Sequence, residues 1–490
     1  MDIIVFGTGA VGKTAVQFLQ RDCHILFLAD NDNTKWGKKS GGYVIKSPGE
    51  IKQTTYDVVI ASTRHGIEMA DQLTGMGICR SRIFFYREFH ACNDCDCEIY
   101  PLDKKKLSSA DIPLIQYDLL HAKEERSDRK KVMVLCTFYS TYAKQLIENI
   151  SARYTDIEFS ILTSAEEYKD KIRAAYVKHI YFFRTMSDLK TILEELPVYD
   201  AMQLLWIERE WAYFSQEIRE KTRKLNLNVG GSDFYRTGKG EKDFKQEIIL
   251  QADTITAETA GTVCEFVAYY GAAVKDKTGL LPFGIEVLDL INDKKDTPNR
   301  EIREKYHIPP DKFVVTCGHN ASNSHQHMKI IDALCKLPEK INRRLVFVFP
   351  MTYPQGAESY IADVDKRLRE TGLDYVILTA FMDFAGMAEY ALISDIMIHV
   401  QTTDQLSSTM LEEMYSGSIV IAGKWLPYRS LHEMGIFFLD ADSIADVTEM
   451  LQEIMSHIEA YKEKCTGNRK IIWKHSSWDE LAPRWHALWE

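Results

Sequence analysis

The stretch TTDQLSSTMLEEMYSGSIVIAG, residues 402–423, holds the pattern that decides the fold of this chain. A polar loop runs into a segment whose apolar residues follow a helical spacing, Gly417 comes next, and SIVIAG has the composition of a buried strand. Helix, glycine turn and strand in this order are the repeating unit of a parallel α/β sheet. By itself, the same segment also fits an amphipathic core helix with a polar face.

Strands alternate with helical segments along the rest of the chain as well. Three such series begin with DIIVF near residue 2, KVMVLC at residue 131 and KFVVTC at residue 312. The predicted fold class is therefore α/β, with three Rossmann-like modules. The first module is predicted to span residues 1–97 and to be followed by a linker at 98–130. The middle module is predicted at 131–287 and the third at 288–466. A final helix at 467–490 is predicted to cross back to the middle module. Within the middle module, residues 201–225 are predicted to form a helical arm.

Composition excludes several classes of protein. The net charge of -11 comes without a compensating basic domain, so no nucleic acid partner is expected. No apolar run approaches the ~18 residues of a membrane span, and the start of the chain lacks the pattern of a signal peptide. The ten cysteines are scattered, several within apolar runs, which is typical of reduced thiols. We expect a cytoplasmic protein; the basic runs near residues 104 and 129 leave peripheral membrane association open.

One cluster of potential metal ligands stands out in HACNDCDCEIY. It contains Cys92, Cys95 and Cys97 beside His90, and four such side chains could bind zinc. The cluster lacks the second CxxC half of a zinc site, so we interpret it as a turn with incidental thiols and expect no metal site.

The stretch FGTGAVGKT, residues 6–14, satisfies two nucleotide-binding patterns at once. Gly7, Gly9 and Gly12 match GxGxxG, while Gly12 with Lys13 and the following threonine completes GxxxxGK[ST]. Asp30 ends the second strand at the distance expected for an acid that binds a ribose. This spacing favours a Rossmann-like module over an ATPase.

The following residues, FLADNDNTKWGKKSGGYVIKSPGEI, resemble the small Rossmann domains that precede sugar acyltransferases and polysaccharide-biosynthesis dehydratases. In those proteins the glycine turn faces a nucleotide or nucleotide-sugar. The resemblance implies a bound nucleotide at Gly7, Gly9, Gly12, Lys13 and Asp30. The alternative is a glycine turn that only packs helix on strand, in a structural or partner-docking module.

Two consecutive α/β modules joined at the PFG sequence near residue 283 and followed by a C-terminal helix resemble GT-B glycosyltransferases. In the donor-site helix of that family an acidic residue and a glutamate are separated by seven residues, a pattern that Asp404 and Glu412 match. The resemblance implies that Asp404 accepts hydrogen bonds from sugar hydroxyls and that Glu412 accepts two from the ribose. The helix start at Gln405, Ser407 and Ser408 would offer N–H groups and a positive dipole end to a diphosphate.

GHNASNSHQHMKIIDAL, residues 318–334, resembles the loop that holds the donor diphosphate in GT-B enzymes, but lacks the arginine and lysine common there. With VFPMTYPQGAESYI downstream, it is more similar to the TDP-4-acetamido-fucose transferases. The implied donor-binding residues are Gly318, His319, Asn320, Ser324 and His325. A histidine would add positive charge below its pKa of ~6.5. Metal binding by these histidines is a weaker alternative.

NVGGSDFYR, residues 228–236, resembles the loop of the same superfamily that faces the acceptor. Gly230 and Gly231 would allow a close approach of the backbone to a ligand. Asp233 would bind an acceptor hydroxyl or act as a base. A cap on the following turn is an equal alternative for Asp233.

These resemblances imply a metal-independent glycosyltransferase, hexosyl- or aminosugar-transferring, that acts in surface polysaccharide or glycoconjugate assembly. It would use a nucleotide-sugar donor, a glycan, lipid-linked or protein acceptor, and no further cofactor, with Asp233, Asp404 and Glu412 as the catalytic candidates. One alternative is an NAD-dependent oxidoreductase or epimerase centred on residues 1–97, although that segment lacks a YxxxK-like pair. Another is a non-catalytic scaffold that senses nucleotide-sugars. The donor base and sugar, retention or inversion, and the oligomeric state stay open.

Overall fold

The structure is a computed structural model that describes residues 1–88, 97–110, 116–118, 129–137, 141–164, 176–354 and 356–490. The chain divides into two compact units. The first unit comprises Met1–Thr256, Phe266–Gly279 and His486–Glu490, and the second comprises Ala257–Glu265 and Leu280–Trp485. Of the predicted thiol cluster, Cys92, Cys95 and His90 lie outside the described residues.

The first unit begins with a seven-stranded sheet. Its strands are β1 (Asp2–Phe6), β2 (His24–Ala29), β3 (Lys39–Ser40), β4 (Tyr43–Lys46), β5 (Asp57–Ile60), β6 (Ile83–Glu88) and β7 (Cys97–Pro101), with helices α1 (Ala10–Leu19) and α2 (Gly66–Gly75). The strand order is β3-β4-β2-β1-β5-β6-β7. The five central strands are parallel, and β3 and β7 pair antiparallel at the two edges.

The same unit contains an eight-stranded sheet in the order β15-β14-β13-β12-β9-β10-β11-β8. Its strands are β8 (Gln116–Asp118), β9 (Lys130–Leu135), β10 (Ile157–Thr163), β11 (Val177–Phe182), β12 (Tyr199–Leu205), β13 (Thr222–Val229), β14 (Thr254–Ala257) and β15 (Thr278–Leu280). The associated helices are α3 (Thr141–Arg153), α4 (Met186–Glu195), α5 (Arg209–Tyr213), α6 (Ser215–Glu220), α7 (Ser232–Tyr235), α8 (Lys239–Phe244), α9 (Gln246–Gln251), α10 (Ala260–Tyr270) and α11 (Ala272–Lys275).

The second unit is built on a six-stranded parallel sheet in the order β18-β17-β16-β19-β20-β21. Its strands are β16 (Phe313–Cys317), β17 (Leu345–Pro350), β18 (Tyr375–Leu378), β19 (Ile396–His399), β20 (Ile419–Gly423) and β21 (Leu439–Ala441). Its helices are α12 (Val287–Lys294), α13 (Asn299–Lys305), α14 (His327–Leu334), α15 (Glu339–Asn342), α16 (Glu358–Arg369), α17 (Phe384–Ile393), α18 (Ser408–Ser416), α19 (Arg429–Glu433), α20 (Val447–Ser456), α21 (Ile458–Cys465), α22 (Asn468–Ser476) and α23 (Trp478–Ala487).

All three sheets are doubly wound: the parallel strands start in the middle, run to one side and then continue on the other. In the eight-stranded sheet this series starts at β9, because β8 is an antiparallel strand at the edge. In the third sheet this order reverses between β16 and β19. Ligands of open α/β sheets bind at the carboxyl ends of the two strands that flank such a switch point. The prediction of three Rossmann-like modules is confirmed, and the topology directs attention to the loops after β16 and β19.

The predicted helical arm over residues 201–225 is wrong. Most of its first part belongs to β12, followed by the short helices α5 and α6, and its end belongs to β13. The apolar run AMQLL is buried on both faces of the sheet, so it lacks the alternation that marks a half-buried strand. A short run of this kind cannot be told from a buried helix by periodicity.

The last residues of the chain pack on the eight-stranded sheet of the first unit. His486 pairs with Asp156 at 3.0 Å, and the Trp489 indole donates a hydrogen bond to Gln203 Oε1 at 3.3 Å. Among the described residues, no helix is both long and apolar enough to cross a membrane.

Candidate functional site

The loop after β16 begins with a glycine that the geometry requires. Gly318 has a φ of +69°, and its N–H donates a hydrogen bond to Ile398 O in β19 at 3.1 Å. A Cβ at this position would come within 2.9 Å of His327 Nε2. The backbone therefore turns sharply at the switch point, and a larger residue would disturb the side chains around it.

Four imidazole rings meet where the two loops face each other. The ring centroids of His319 and His325 are 4.2 Å apart, those of His325 and His327 are 5.7 Å apart, and His319 stacks on His399 at 5.7 Å. Burial and the nearby His399 lower the pKa of His319 to about 3, and burial lowers that of His327 to about 4. Both of these rings are therefore neutral at physiological pH in the ligand-free protein.

Asp404 lies at the same place and is bonded by two of the site's side chains. The Tyr428 hydroxyl donates a hydrogen bond to Asp404 Oδ2, and His399 Nε2 lies 3.4 Å from the same oxygen. Burial raises the pKa of Asp404, but the bonds from His399 and Tyr428 outweigh it, and the pKa falls below its ordinary value. The site thus holds a partly buried negative charge.

Backbone and side-chain bonds connect the two loops directly. Thr402 N–H donates to Ser324 O at 2.8 Å, and the Gln326 side chain donates to Val400 O at 2.7 Å. Asn320 closes the first loop on itself by accepting from the N–H of Ser322 at 2.8 Å. The loops therefore form one connected surface at the carboxyl edge of the sheet.

Helix α18 starts beside this surface. Ser407 caps it, since its hydroxyl accepts from Met410 N–H at 3.2 Å, and Ser408 is the first helical residue. Gln405 and Ser407 are buried, and Gly417 ends the helix in the left-handed conformation. The structure thus places the predicted helix start next to Asp404, with its positive dipole end at the switch point.

Glu412 lies one turn into α18 and is 3% exposed. Burial and the neighbouring Glu413 raise its pKa to about 8, so the carboxyl keeps its proton at neutral pH. It therefore offers one donor and one acceptor, not the two acceptors that the sequence suggested. Glu413, also buried, accepts from Ser418 Oγ at 2.7 Å, a bond that ties the helix to the sheet.

Sequence reasoning missed three residues of this site: His399, Tyr428 and Tyr353. His399 was detectable in principle, because it is a fully buried polar residue at the end of the apolar strand IMIH. Tyr353 follows β17; its carbonyl accepts from Ala321 N–H at 2.7 Å and its hydroxyl bonds Asn320. Tyr428 reaches Asp404 only through the fold, and no local pattern marks it.

Asp233 lies in the first unit, on α7. Its carboxylate accepts from Ile207 N–H at 2.7 Å, and Lys245 donates to its carbonyl at 2.9 Å. Burial raises its pKa. A Cβ on Gly230 would overlap the Trp206 indole at 1.8 Å, so the space beside this glycine is filled by the protein itself. These bonds fit a structural role; the predicted acceptor role of Asp233 stays a prediction.

The glycine turn of the first module is of the Rossmann type. Gly7 has a φ of +111°, and a Cβ on Gly12 would come within 2.0 Å of Gly7 O. Helix α1 begins before Gly12, so Lys13 is an exposed residue inside the helix and not at the end of a phosphate loop. A Cβ on Gly9 would meet nothing within 4 Å, which leaves room beside the turn.

Asp30 is already bonded by the protein. Its carboxylate accepts from Thr8 N–H at 3.0 Å, from the Thr8 hydroxyl, from Asp32 N–H at 2.9 Å and from Lys35 Nζ at 3.1 Å. Burial raises its pKa, and these bonds outweigh that and leave it below its usual value. These bonds join the loop after β1 to the loop after β2, and a ribose would have to compete with the donors that Asp30 already has.

The same edge of the first sheet is covered by the middle module. Arg209 forms a buried ion pair with Glu241 and donates to Ser62 O at 3.1 Å, while Glu241 Oε1 accepts from Ile67 N–H at 3.1 Å. Glu68 Oε1 in turn accepts from Gly240 N–H at 3.0 Å. Hydrogen bonds of charged side chains therefore join the first module to the second, and the Arg209–Glu241 pair among them is buried.

No three His, Cys, Asp or Glu side chains in the described parts of the chain are arranged to hold a metal ion. All cysteines that the structure describes are free thiols.

Comparisons with known proteins agree with this architecture. A family model described as C2185-like, N-terminal, matches residues 1–84. No curated protein matches the chain in sequence. Among solved structures, HepE from Anabaena in complex with UDP superimposes with a TM-score of 0.60 at 13% identity, over 73% of this chain and 98% of HepE. A glycosyltransferase from Rickettsia africae gives 0.60 at 13%, over 74% and 98%.

Sucrose-phosphate synthase from Thermosynechococcus elongatus is also similar, with a TM-score of 0.59 at 12% identity, over 74% of this chain and 98% of that one. The chain therefore has the GT-B glycosyltransferase fold, with Rossmann-like modules.

Proposed function

We propose that the protein is a glycosyltransferase that transfers a sugar from a nucleotide-sugar donor. One observation carries this: at the switch point of the third sheet, the capped start of α18, the buried carboxyl of Glu412 and the Asp404 network lie on one connected surface. A helix N-terminus suits a diphosphate and two carboxyl groups suit hydroxyls, which together match the parts of a nucleotide-sugar.

The GT-B fold supports this assignment. Structures of HepE contain UDP, UDP with glucose, or UDP-glucose. We propose that the donor of this chain is also a nucleotide-sugar, bound between the loop at residues 318–325 and the start of α18. The transferred group is a hexose or an aminosugar.

In the proposed reaction the chain holds the leaving nucleoside diphosphate with groups that are already oriented. N–H groups at Gln405, Ser407 and Ser408 face the phosphates, and the dipole of α18 stabilises the negative charge that develops as the glycosidic bond breaks. Glu412 donates one hydrogen bond to the ribose and accepts another. Asp404, charged at neutral pH, accepts from the sugar hydroxyls.

For the acceptor we propose a glycan, a lipid-linked sugar or a protein in surface polysaccharide or glycoconjugate assembly, with Asp233 as the candidate base on that side. We place the reaction in the cytoplasm, at the inner face of the membrane if the acceptor is lipid-linked, and propose that it needs no bound metal ion. Full activity in EDTA is the expected result, and loss of activity that Mg²⁺ restores would contradict it.

A nucleotide-release assay tests the proposal. The full chain is incubated with UDP-, GDP-, ADP- and dTDP-sugars, with and without simple sugar acceptors, and released nucleoside diphosphate is measured. We expect release from at least one donor, at least tenfold reduced in Asp404→Asn, since the charge at the site is lost. Asp442→Asn is the matched control, because Asp442 is exposed and pairs with Lys424 outside the site. Release that is equal in both variants would refute the assignment of Asp404.

A further inference from the structure

The two main loops of the candidate donor site contain no permanent cation, although the proposed donor is an anion. Residues 318–326 and 400–408 contain no lysine or arginine. A nucleoside diphosphate carries two to three negative charges near neutral pH, and Asp404 adds another at the same place. Dipoles alone compensate such a charge poorly, so a further source of positive charge is needed.

In the described part of the chain, the titratable groups beside His319 are three histidines and one carboxylate. They are His325 and His327 from the segment before and at the start of α14, His399 from β19, and Asp404 from the loop after β19. None of these four is a permanent cation. His399 is in turn bonded to the Tyr428 hydroxyl at 3.0 Å and lies 3.3 Å from the Gln401 amide.

Some of the ring nitrogens in this cluster are buried and unpartnered. Nδ1 of His319 and Nδ1 of His399 are buried and have no hydrogen-bond partner in the described part of the chain. A buried polar atom without a partner costs free energy, which a ligand at the site can recover. His319 itself is only partly covered, so a ligand at the switch point can reach its ring.

We propose that binding of the donor diphosphate draws a proton from solvent onto the histidine cluster, with His319 as its main site. This inference rests on the proposed function, because it names how that same site obtains its positive charge. An anion within a few ångströms favours the charged form of an imidazole and opposes the burial that keeps it neutral. The proton returns to solvent when the nucleotide leaves, so no covalent bond of the protein changes.

Taking up the proton only when the donor binds avoids positive charge in the empty site. Without ligand, His319 and His327 are neutral, so the site avoids the cost of burying their positive charges side by side. With the diphosphate bound, the imidazolium neutralises part of the charge of the leaving group. Affinity and protonation are then linked, so donor affinity falls as pH rises.

Calorimetry on the full chain tests this directly. UDP, GDP, ADP and dTDP are titrated at pH 7.5 in HEPES and in Tris, which release different heats when they give up a proton. The tightest binder is then measured from pH 7.0 to 8.5, above the pKa of ~6 of the terminal phosphate, so that the ligand itself does not titrate. We expect uptake of about half to one proton per nucleotide and a three- to tenfold loss of affinity per pH unit.

Histidine variants test which side chain takes up the proton. His319→Gln keeps a polar side chain of similar length and should abolish most of the proton uptake and flatten the pH profile. His457→Gln is the control, since His457 is exposed and pairs with Glu453 outside the site. Should His319→Gln fail to fold, the wild-type buffer comparison still decides whether a proton is taken up.

The outcomes separate the two proposals. Binding with no proton uptake, or with uptake that survives in His319→Gln, overturns the inference and leaves the proposed function in place. No binding of any of the four nucleotides overturns the proposed function itself.

Discussion

Tyr428 donates its hydroxyl hydrogen bond to the Asp404 carboxylate, and the two residues come from the loops after neighbouring strands of the third sheet. His399 lies beside both, since its Nε2 is 3.0 Å from the Tyr428 hydroxyl and 3.4 Å from Asp404 Oδ2. The orientation of Asp404 is therefore set by side chains that its own loop does not supply.

Replacing Tyr428 by phenylalanine removes this bond and keeps the ring. Asp404 then loses its main positioning partner, and we expect turnover in the nucleotide-release assay to fall at least tenfold. A hydrogen bond to a charged group contributes about 1.5 to 3 kcal/mol, so some stability is lost too. Tyr415→Phe is the control, because that hydroxyl bonds Asn292 at 2.8 Å away from the site. Equal turnover in both variants would contradict the positioning role.

Glu412 and Glu413 are adjacent but have different tasks. Since Glu412 is protonated near neutral pH, Glu412→Gln imitates it and should change donor affinity by no more than a few-fold, whereas Glu412→Ala should weaken it at least tenfold. Glu413→Gln disturbs the bond to Ser418 and should lower stability while leaving affinity close to wild type. Calorimetric titration of the bound nucleotide distinguishes these cases; unchanged affinity in Glu412→Ala would remove its proposed role.

Acid should destabilise the ligand-free protein through His319. Its pKa is about 3 when folded and ~6.5 when unfolded, so the unfolded state binds the extra proton between these values. The contribution of the neutral His319 to the free energy of unfolding is complete above pH 6.5 and is lost as pH falls towards 3. Glu412, with a raised pKa of about 8, acts in the opposite direction, as its contribution is lost when pH rises through 8.

The measurement that isolates His319 is the difference between wild type and His319→Gln in urea unfolding at pH 6.5 and pH 5. We expect the wild type to lose up to about 2 kcal/mol more than the variant over this range. Parallel losses in the two proteins would show that His319 is not the group that titrates.

The buried pair between Arg209 and Glu241 should hold the first module in place. Arg209→Ala leaves the Glu241 carboxylate, which is 1% exposed, without its partner, and should cost about 3 kcal/mol or more. Arg223→Ala breaks the exposed pair with Asp200 at 3.0 Å and should cost less than about 1 kcal/mol. Urea unfolding of the two variants tests this contrast, and similar losses would contradict it.

Substitutions at two glycines of the first module test its packing and its ligand binding separately. Gly12→Ala places a Cβ on Gly7 O and should unfold or strongly destabilise this module, while Gly9→Ala meets no atom within 4 Å and should leave thermal stability unchanged. If the turn also binds a nucleotide, Gly9→Val should weaken that binding. A Gly12→Ala protein as stable as wild type would show that the helix and turn are not as closely packed as described.

Local pattern sufficed for much of the fold, because most of the buried parallel strands are followed by a turn and then by a helix. It also located the start of α18 and Glu412, which belong to one continuous segment. It could not show that Asp404 is bonded to Tyr428, since that bond depends on the order of strands in the sheet. Nor could it show that Asp233 accepts from Ile207, or that burial makes Glu412 an acid of pKa about 8. The helical prediction for residues 201–225 was wrong for a related reason, because a strand that is buried on both faces lacks the alternation of apolar and polar residues.

The central claim is that the third sheet carries the nucleotide site, and titration of UDP, GDP, ADP and dTDP into three full-length proteins tests it most directly. These are the wild type, Glu412→Ala and Gly9→Val. We predict that at least one nucleotide binds the wild type, that Glu412→Ala weakens its binding at least tenfold, and that Gly9→Val binds as the wild type does. Binding lost in Gly9→Val and kept in Glu412→Ala would place the site in the first module and contradict the account.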